Sequence, residues 1–173
     1  MEKKVLFAHL DETNNRMIEL AEAFDEEEMN KVFKEDSWTA AQVTDHVAKA
    51  ISSVARSLQE NGKDTDKNTE AGVQKIKEIF LDFSSKFKSP DFILPSAGPF
   101  DKEKLIASLK SSIQQLNIIR EKTNLMESIS HRVFKEPTKW ELLHLALYHT
   151  QRHIYQLKNI LEIVRNKEVV TKD

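Results

Sequence analysis

The chain has 173 residues, 39% hydrophobic and 31% charged, with a formal net charge of −2 and no cysteine. The length suffices to bury a substantial core and is read as one domain, residues 1–173, while the near-balanced charge excludes a general basic field for nucleic acid. Without thiols the chain can form no disulfide, thiolate metal site or iron–sulfur cluster, and it carries no thiol nucleophile of its own.

The opening stretch MEKKVLFAHLDETN holds a six-residue apolar run ended by Asp11, too short for a signal peptide. No stretch approaches the roughly 20 apolar residues of a membrane span. A cytoplasmic protein with no membrane or nucleic-acid partner is expected. Leu6, Leu10, Met17, Leu20, Ala21 and Phe24 form one apolar stripe of a first helix, expected over residues 3–24. DEEEMNKVFKED follows as a short helix or a loop. The next helix begins at SWTAAQVTDHVAKAI, where Thr39 and Gln42 have the spacing of a capping box, each satisfying an amide near the other. Val43, Val47, Ala50, Val54 and Leu58 make its buried stripe, and Asn61-Gly62 marks its end.

A polar loop leads to a helix expected over residues 70–87, with Ile76, Phe80, Phe83 and Phe87 on one side. KSPDFILPSAGPF is a proline-punctuated connector whose apolar residues are expected to cover one end of the molecule. A long helix over 102–126 carries Leu105, Leu109, Ile113, Leu116 and Ile119. Thr138 and Glu141 repeat the capping-box spacing, with Pro137 discouraging extension backwards. The last helix is expected to run to about residue 166, leaving residues 166–173 as a frayed tail. No run alternates apolar and polar residues, so no sheet is expected. Four principal helices and a shorter fifth make this an all-α bundle.

The inward stripe of the last helix reads Leu142, Ala146, His149, His153, Leu157, Ile160, Val164. Positions i and i+4 are neighbours on a helix, so two imidazoles there can converge on one ion. His46 lies on, or at the edge of, the inward stripe of the second principal helix. Three imidazoles from two helices supply three nitrogens and leave a position free, the pattern of a catalytic rather than a structural site. Neutral imidazole suits zinc, nickel, copper or iron. A single buried histidine is more often a hydrogen-bonded core residue, so spacing alone leaves both readings open. His144 stands about 140° around the helix from His149 and points elsewhere. His9 and His131 fall outside any motif and read as ordinary surface or interface residues. Gln156 is either a partner orienting an imidazole or a plain polar helix residue. Arg152 and Tyr148 face a cavity mouth or solvent, and Trp38 and Trp140 read as packing anchors. Thr150 stands where a HExxH protease has its Glu, and the Glu-x-x-His element at 141–144 lacks the second copy of a di-iron bundle.

SWTAAQVTDHVAKA resembles the second-helix signature of the DinB/YfiT-like superfamily, and YHTQRHIYQLKNI resembles its last-helix signature. KSPDFILPSAGPF and the helix after it are similar to the family's mid-chain linker and third helix. The resemblance implies a four-helix bundle, up-down-down-up, with one extra short helix in the long connection, and a homodimer. It implies a metal triad of His46, His149 and His153 holding one divalent transition metal, zinc or nickel first and iron next. The implied function is that of a metal-dependent enzyme acting on a small molecule, either a low-molecular-weight-thiol-dependent S-transferase or a hydrolase. The alternative is a non-catalytic, stress-related bundle that binds a metal or ligand. With no cysteine in the chain, any thiol has to arrive as an external cosubstrate.

Overall fold

Local chemistry starts most of the helices. Thr39 Oγ1 accepts from the Gln42 amide (3.2 Å) while Gln42 Oε1 accepts from the Thr39 amide (3.0 Å). Thr138 and Glu141 make the same reciprocal pair at 3.1 and 2.7 Å. Each arrangement satisfies two amides that a helix start otherwise leaves bare. The structure, a computed structural model, describes residues 1–170, and side-chain surroundings as far as residue 166. Its helices are α1 (Lys3–Glu22), α2 (Glu26–Asn30), α3 (Ala40–Leu58), α4 (Thr69–Leu81), α5 (Lys102–Lys122) and α6 (Lys139–Val170). One 3-10 turn, Asp91–Ile93, lies between α4 and α5.

The four long helices form the bundle. Around its axis α6 packs between α1 and α3, and α5 closes the ring between the same two. Ties at the helix ends give the directions. Lys102, opening α5, donates to the Glu22 carbonyl at the end of α1 (3.0 Å), whereas Arg120, near the end of α5, pairs with Asp11 (2.8 Å). α1 and α5 are therefore antiparallel. Arg165, late in α6, donates to the Ala23 carbonyl (2.8 Å), so α1 and α6 run together. The result is the expected up-down-down-up order. α4 packs on α6 along the outside of the ring, and Gly72 permits the approach: a Cβ there would lie 1.7 Å from Glu141 Oε1.

The core holds the expected stripes. Met17, Phe24, Leu109, Leu116, Leu142 and Leu157 are fully buried, each worth about 1.5–3 kcal/mol relative to exposure. Arg120 is one of four charged residues buried among those described, with Glu28, Lys139 and Glu141. Its guanidinium lies over the Phe7 ring (4.4 Å), and its Nη2 donates to both Asp11 oxygens at 2.8 and 2.9 Å, while its buried Nε has no hydrogen-bond partner. Among the described residues no helix is long and apolar enough to cross a membrane.

Several expectations need correction. A small sheet does exist: β1 (Lys63–Asp64) pairs antiparallel with β2 (Glu127–Ser128). Two residues per strand are too few to show alternation. The ladder ties the end of α3 to the approach to α6, and so fixes those two helices antiparallel. α4 stops at Leu81, not near residue 87. The Asp82 carboxylate accepts from the Ser84 amide and from the Ser84 and Ser85 hydroxyls, a local turn that outcompetes another helical turn. Phe83 and Phe87 therefore leave the helix and are exposed. α1 ends at Glu22 rather than residue 24. α5 ends at Lys122 rather than 126, where Thr123 Oγ1 turns back to the Ile119 carbonyl and Asn124 accepts from the Met126 amide. α6 is described through Val170, past the expected end; residues 171–173 of the expected frayed tail lie outside the described residues. Phe92 and Leu94 of the connector stay more than a third exposed and do not seal the bundle end.

Candidate metal centre

His46 falls in the second turn of α3, and the apolar stripe that runs through Val43 and Val47 carries it inward. His149 and His153 sit one turn apart on α6, which packs against α3. The structure brings these three imidazoles together. His46 Nε2 lies 3.0 Å from His149 Nε2, and His153 Nε2 lies 3.2 Å from the same atom. All three ligand atoms are within 4.8 Å of one another, and all three residues are buried.

The opposite ring nitrogens decide what that proximity means. His46 Nδ1 is 2.8 Å from the Ile93 carbonyl oxygen, so it carries the proton and donates. His153 Nδ1 is 2.9 Å from Gln156 Oε1 and donates there, with the amide oriented oxygen-inward. A neutral imidazole has one N–H, so both rings must present a bare lone pair at Nε2. Those lone pairs converge on His149 Nε2, whose single proton can satisfy only one of them. Burial holds all three rings neutral, each pKa pushed below the ordinary imidazole value, His149 far below and His153 down to about 3. Desolvation is the main cause in each, and mutual repulsion adds to it for His149 and His153.

The arrangement is compatible with a shared cation, which would take all of these lone pairs at once. Metal–nitrogen bonds of 2.0–2.1 Å in a tetrahedral set put donor nitrogens about 3.3–3.4 Å apart, close to the two short separations here. The donors are all imidazole, which fits zinc, nickel, copper or iron and disfavours magnesium or calcium. The Ile93 carbonyl and Gln156 amide fix the ring orientations from behind, as partners of metal-bound imidazoles do. Among the described residues this is the one cluster of three or more such groups.

The three rings line a cavity of about 780 Å³, within the range of small-molecule sites. Its walls are aromatic: Trp38, Phe80, Phe87, Phe92 and Phe134 all face it. Trp38 is thus more than a packing anchor, its ring 4.8 Å from that of His46, and Phe80 stands 5.6 Å from His149. Asp36 is the single acidic side chain on the lining, against Lys86, Lys88 and Arg152. Arg152 acts as a clamp. Its guanidinium donates to the carbonyls of Phe80 (3.4 Å), Asp82 (2.7 Å) and Ser85, and lies 5.0 Å from the Phe87 ring. The segment that left the helix at Leu81 is thereby held as a cavity wall.

The other residues of interest divide plainly. Gln156 is a partner orienting an imidazole. His144 is buried but turned away, its Nδ1 donating to the Trp140 carbonyl at 3.0 Å and its ring against Trp140. Tyr148 is buried beside His144, not at the cavity, and burial raises its pKa. His9 is exposed. His131 is not an ordinary surface residue: it lines the cavity with Val133 and Phe134. Sequence reasoning missed it, and missed Ile93, because both act from irregular segments where no periodicity says which way a side chain or carbonyl points.

A sequence model described as the DinB superfamily matches residues 9–157. The chain is similar to YuaE of Bacillus subtilis (strain 168), described as uncharacterised, at 26% identity over 148 residues, covering 79% of this chain and 85% of YuaE. In structure it is similar to TT2238, a crystallised four-helix bundle protein, with a TM-score of 0.58 and 18% identity over 90% of this chain and 98% of the other. At that identity the likeness bears on the fold alone.

Proposed function

We propose, because the chain belongs to the DinB superfamily, that it is a metal-dependent enzyme with one centre, His46, His149 and His153, joining an external low-molecular-weight thiol to a small electrophile. The observation that carries the reading is the convergence of bare Nε2 lone pairs at 3.0 and 3.2 Å, on the wall of a cavity large enough for a ligand. His46, His149 and His153 would hold a divalent cation, which would supply Lewis acidity to the reaction.

The chain's own residues do the rest. Ile93 and Gln156 hold His46 and His153 in the tautomer that frees Nε2. Trp38, Phe80 and Phe87 keep the reacting atoms in apolar surroundings, where charge interactions are stronger than in water. Arg152 keeps the 82–87 wall in place. Thiol transfer suits this lining better than hydrolysis. The HExxH type of hydrolytic centre draws on a carboxylate beside the metal as general base; here Thr150 holds that position, and Asp36 is the single acidic residue on the lining. Thiolate attack requires no such base: a sulfur–carbon bond forms, the leaving group departs with its electron pair, and the thiol proton passes to solvent.

The test is a screen with tag-free protein loaded with zinc or nickel. Cysteine- and sugar-linked thiols are offered with an aryl halide electrophile, and esters and amides are offered without thiol. Thiol-dependent turnover that His149→Ala abolishes and His144→Ala retains is expected. Thiol-independent ester cleavage would make the protein a hydrolase instead. Metal uptake without any turnover would make it a binding protein.

A further inference from the structure

We propose that His131 is a binding residue of this cavity, donating Nε2–H to the carboxylate of an apolar-bodied small molecule. The inference rests on the cavity being the substrate site, and it names the substrate's chemical class. His131 lies in the loop between β2 and α6, which the Ile129 amide closes by donating to the Pro137 carbonyl (3.1 Å). Within the loop, His131 Nδ1 accepts from two main-chain amides, those of Val133 and Phe134, each at 3.2 Å. A nitrogen that accepts two N–H donors holds no proton, so the neutral ring carries its proton on Nε2. Half-burial against Phe134 pushes the ring's pKa down, which keeps it in that neutral form near pH 7. Nε2 has no partner among the described residues, and the residue lines the same cavity as the three clustered histidines.

The loop thus holds a donor of fixed tautomer on the cavity wall, with no acceptor for its hydrogen bond among the described residues. The charges along the cavity set the acceptor. Glu60 and Arg132 act on His131 with opposite signs. Along the cavity lining Lys86 and Lys88 outnumber the single carboxylate of Asp36, Arg152 is balanced by Asp82 beside it, and no described acidic side chain pairs with either lysine. An anion is favoured there over a neutral or cationic group. Phe80, Phe87 and Phe92 offer the ligand's body aromatic contact, with the Arg152 guanidinium against Phe87 and that of Arg132 over Phe92.

The test uses full-length protein, zinc-loaded and chelator-treated in parallel, titrated calorimetrically with 3-phenylpropionate. Two variants separate the ring's two roles. His131→Asn keeps an acceptor where Nδ1 serves the loop amides and removes the outward donor. His131→Gln keeps a donor near Nε2 and gives up the loop acceptor. We expect wild type to bind, His131→Asn to bind about tenfold more weakly in both preparations, as for a charge-assisted hydrogen bond, and His131→Gln to stay within about threefold of wild type. Three results would overturn the proposal: no binding by wild type, unchanged affinity in His131→Asn, or a loss seen only with zinc present. Zinc content is measured on the same samples. Intact carboxylate binding in a chain that takes up no zinc would overturn the metal reading and leave the His131 assignment standing.

Discussion

Two sets of buried imidazoles lie little more than a turn apart on α6, and they are built in opposite ways. His144 is 1% exposed, yet its Nδ1–H goes to the Trp140 carbonyl of its own helix and its ring rests on Trp140. It is a satisfied core residue. His149, equally part of the helix interior, has its Nε2 pressed between two other nitrogens that their partners hold unprotonated. Burial alone therefore does not mark a site on this helix. The direction of the lone pairs does.

The contrast can be broken most directly through metal uptake. Removing a ligand is expected to weaken zinc binding more than the 10–100-fold typical of losing a supporting hydrogen bond. His149→Ala should thus lose more than about 100-fold in a chelator-competition titration, whereas His144→Ala keeps wild-type affinity. Equal losses in the two variants would erase the distinction. The supporting layer gives the next effect: Gln156→Ala should keep one zinc per chain but bind it about 10–100-fold more weakly. An unchanged affinity would return Gln156 to the status of a plain polar helix residue.

Acidification sharpens the same contrast. The folded-state pKa of His153 is pushed down to about 3 and those of His46, His144 and His149 are lowered too, while an unfolded imidazole titrates near 6.5. Between those values the unfolded chain binds protons that the folded chain refuses. Stability is therefore whole above about pH 6.5 and lost as the pH falls below it, at about 1.4 kcal/mol per pH unit for each ring kept neutral. Urea midpoints of metal-free protein should fall between pH 7 and pH 5. Zinc should add stability at pH 7 that also disappears on acidification, because protons compete for the same nitrogens. His144→Gln should flatten the metal-free slope and leave the zinc increment alone. A pH-independent zinc increment would point to a site other than the three histidines.

Smallest of all should be the caps. Thr39→Ala and Thr138→Ala are each expected to cost about 1 kcal/mol in urea unfolding, and Thr39→Ala should also weaken zinc slightly because its helix end carries His46. Matching zinc affinities in the two cap variants would place His46 beyond the reach of its helix start.

The caps also show what was legible. Thr39 with Gln42 and Thr138 with Glu141 act across three residues, so spacing alone locates both helix starts, and the periodicity after them carries His46, His149 and His153 inward. The end of α4 was not legible in the same way. Phe83 and Phe87 continue the period of Ile76 and Phe80, and only the Asp82–Ser84–Ser85 turn, with its carboxylate-to-hydroxyl bonds, breaks it. An Asp followed by two serines is a weak signal of such a turn. The Ile93 carbonyl behind His46 comes from 47 residues away, and a backbone acceptor has no residue type to read. His131 was hidden for a related reason. Its significance lies in which ring nitrogen the loop amides occupy, and an irregular loop gives no period from which to infer that. The resemblance carried by the two helix signatures supplied the triad; the tautomers that fit it to a cation came from the structure.

The central claim is that the three clustered imidazoles of His46, His149 and His153 hold one cation. Zinc titration of tag-free, chelator-treated protein, followed by atomic analysis after desalting, tests it most directly. One tightly held zinc per chain in wild type and in His144→Ala, and none in His149→Ala, is the predicted result. Well under one zinc per wild-type chain, or undiminished retention by His149→Ala, would contradict it.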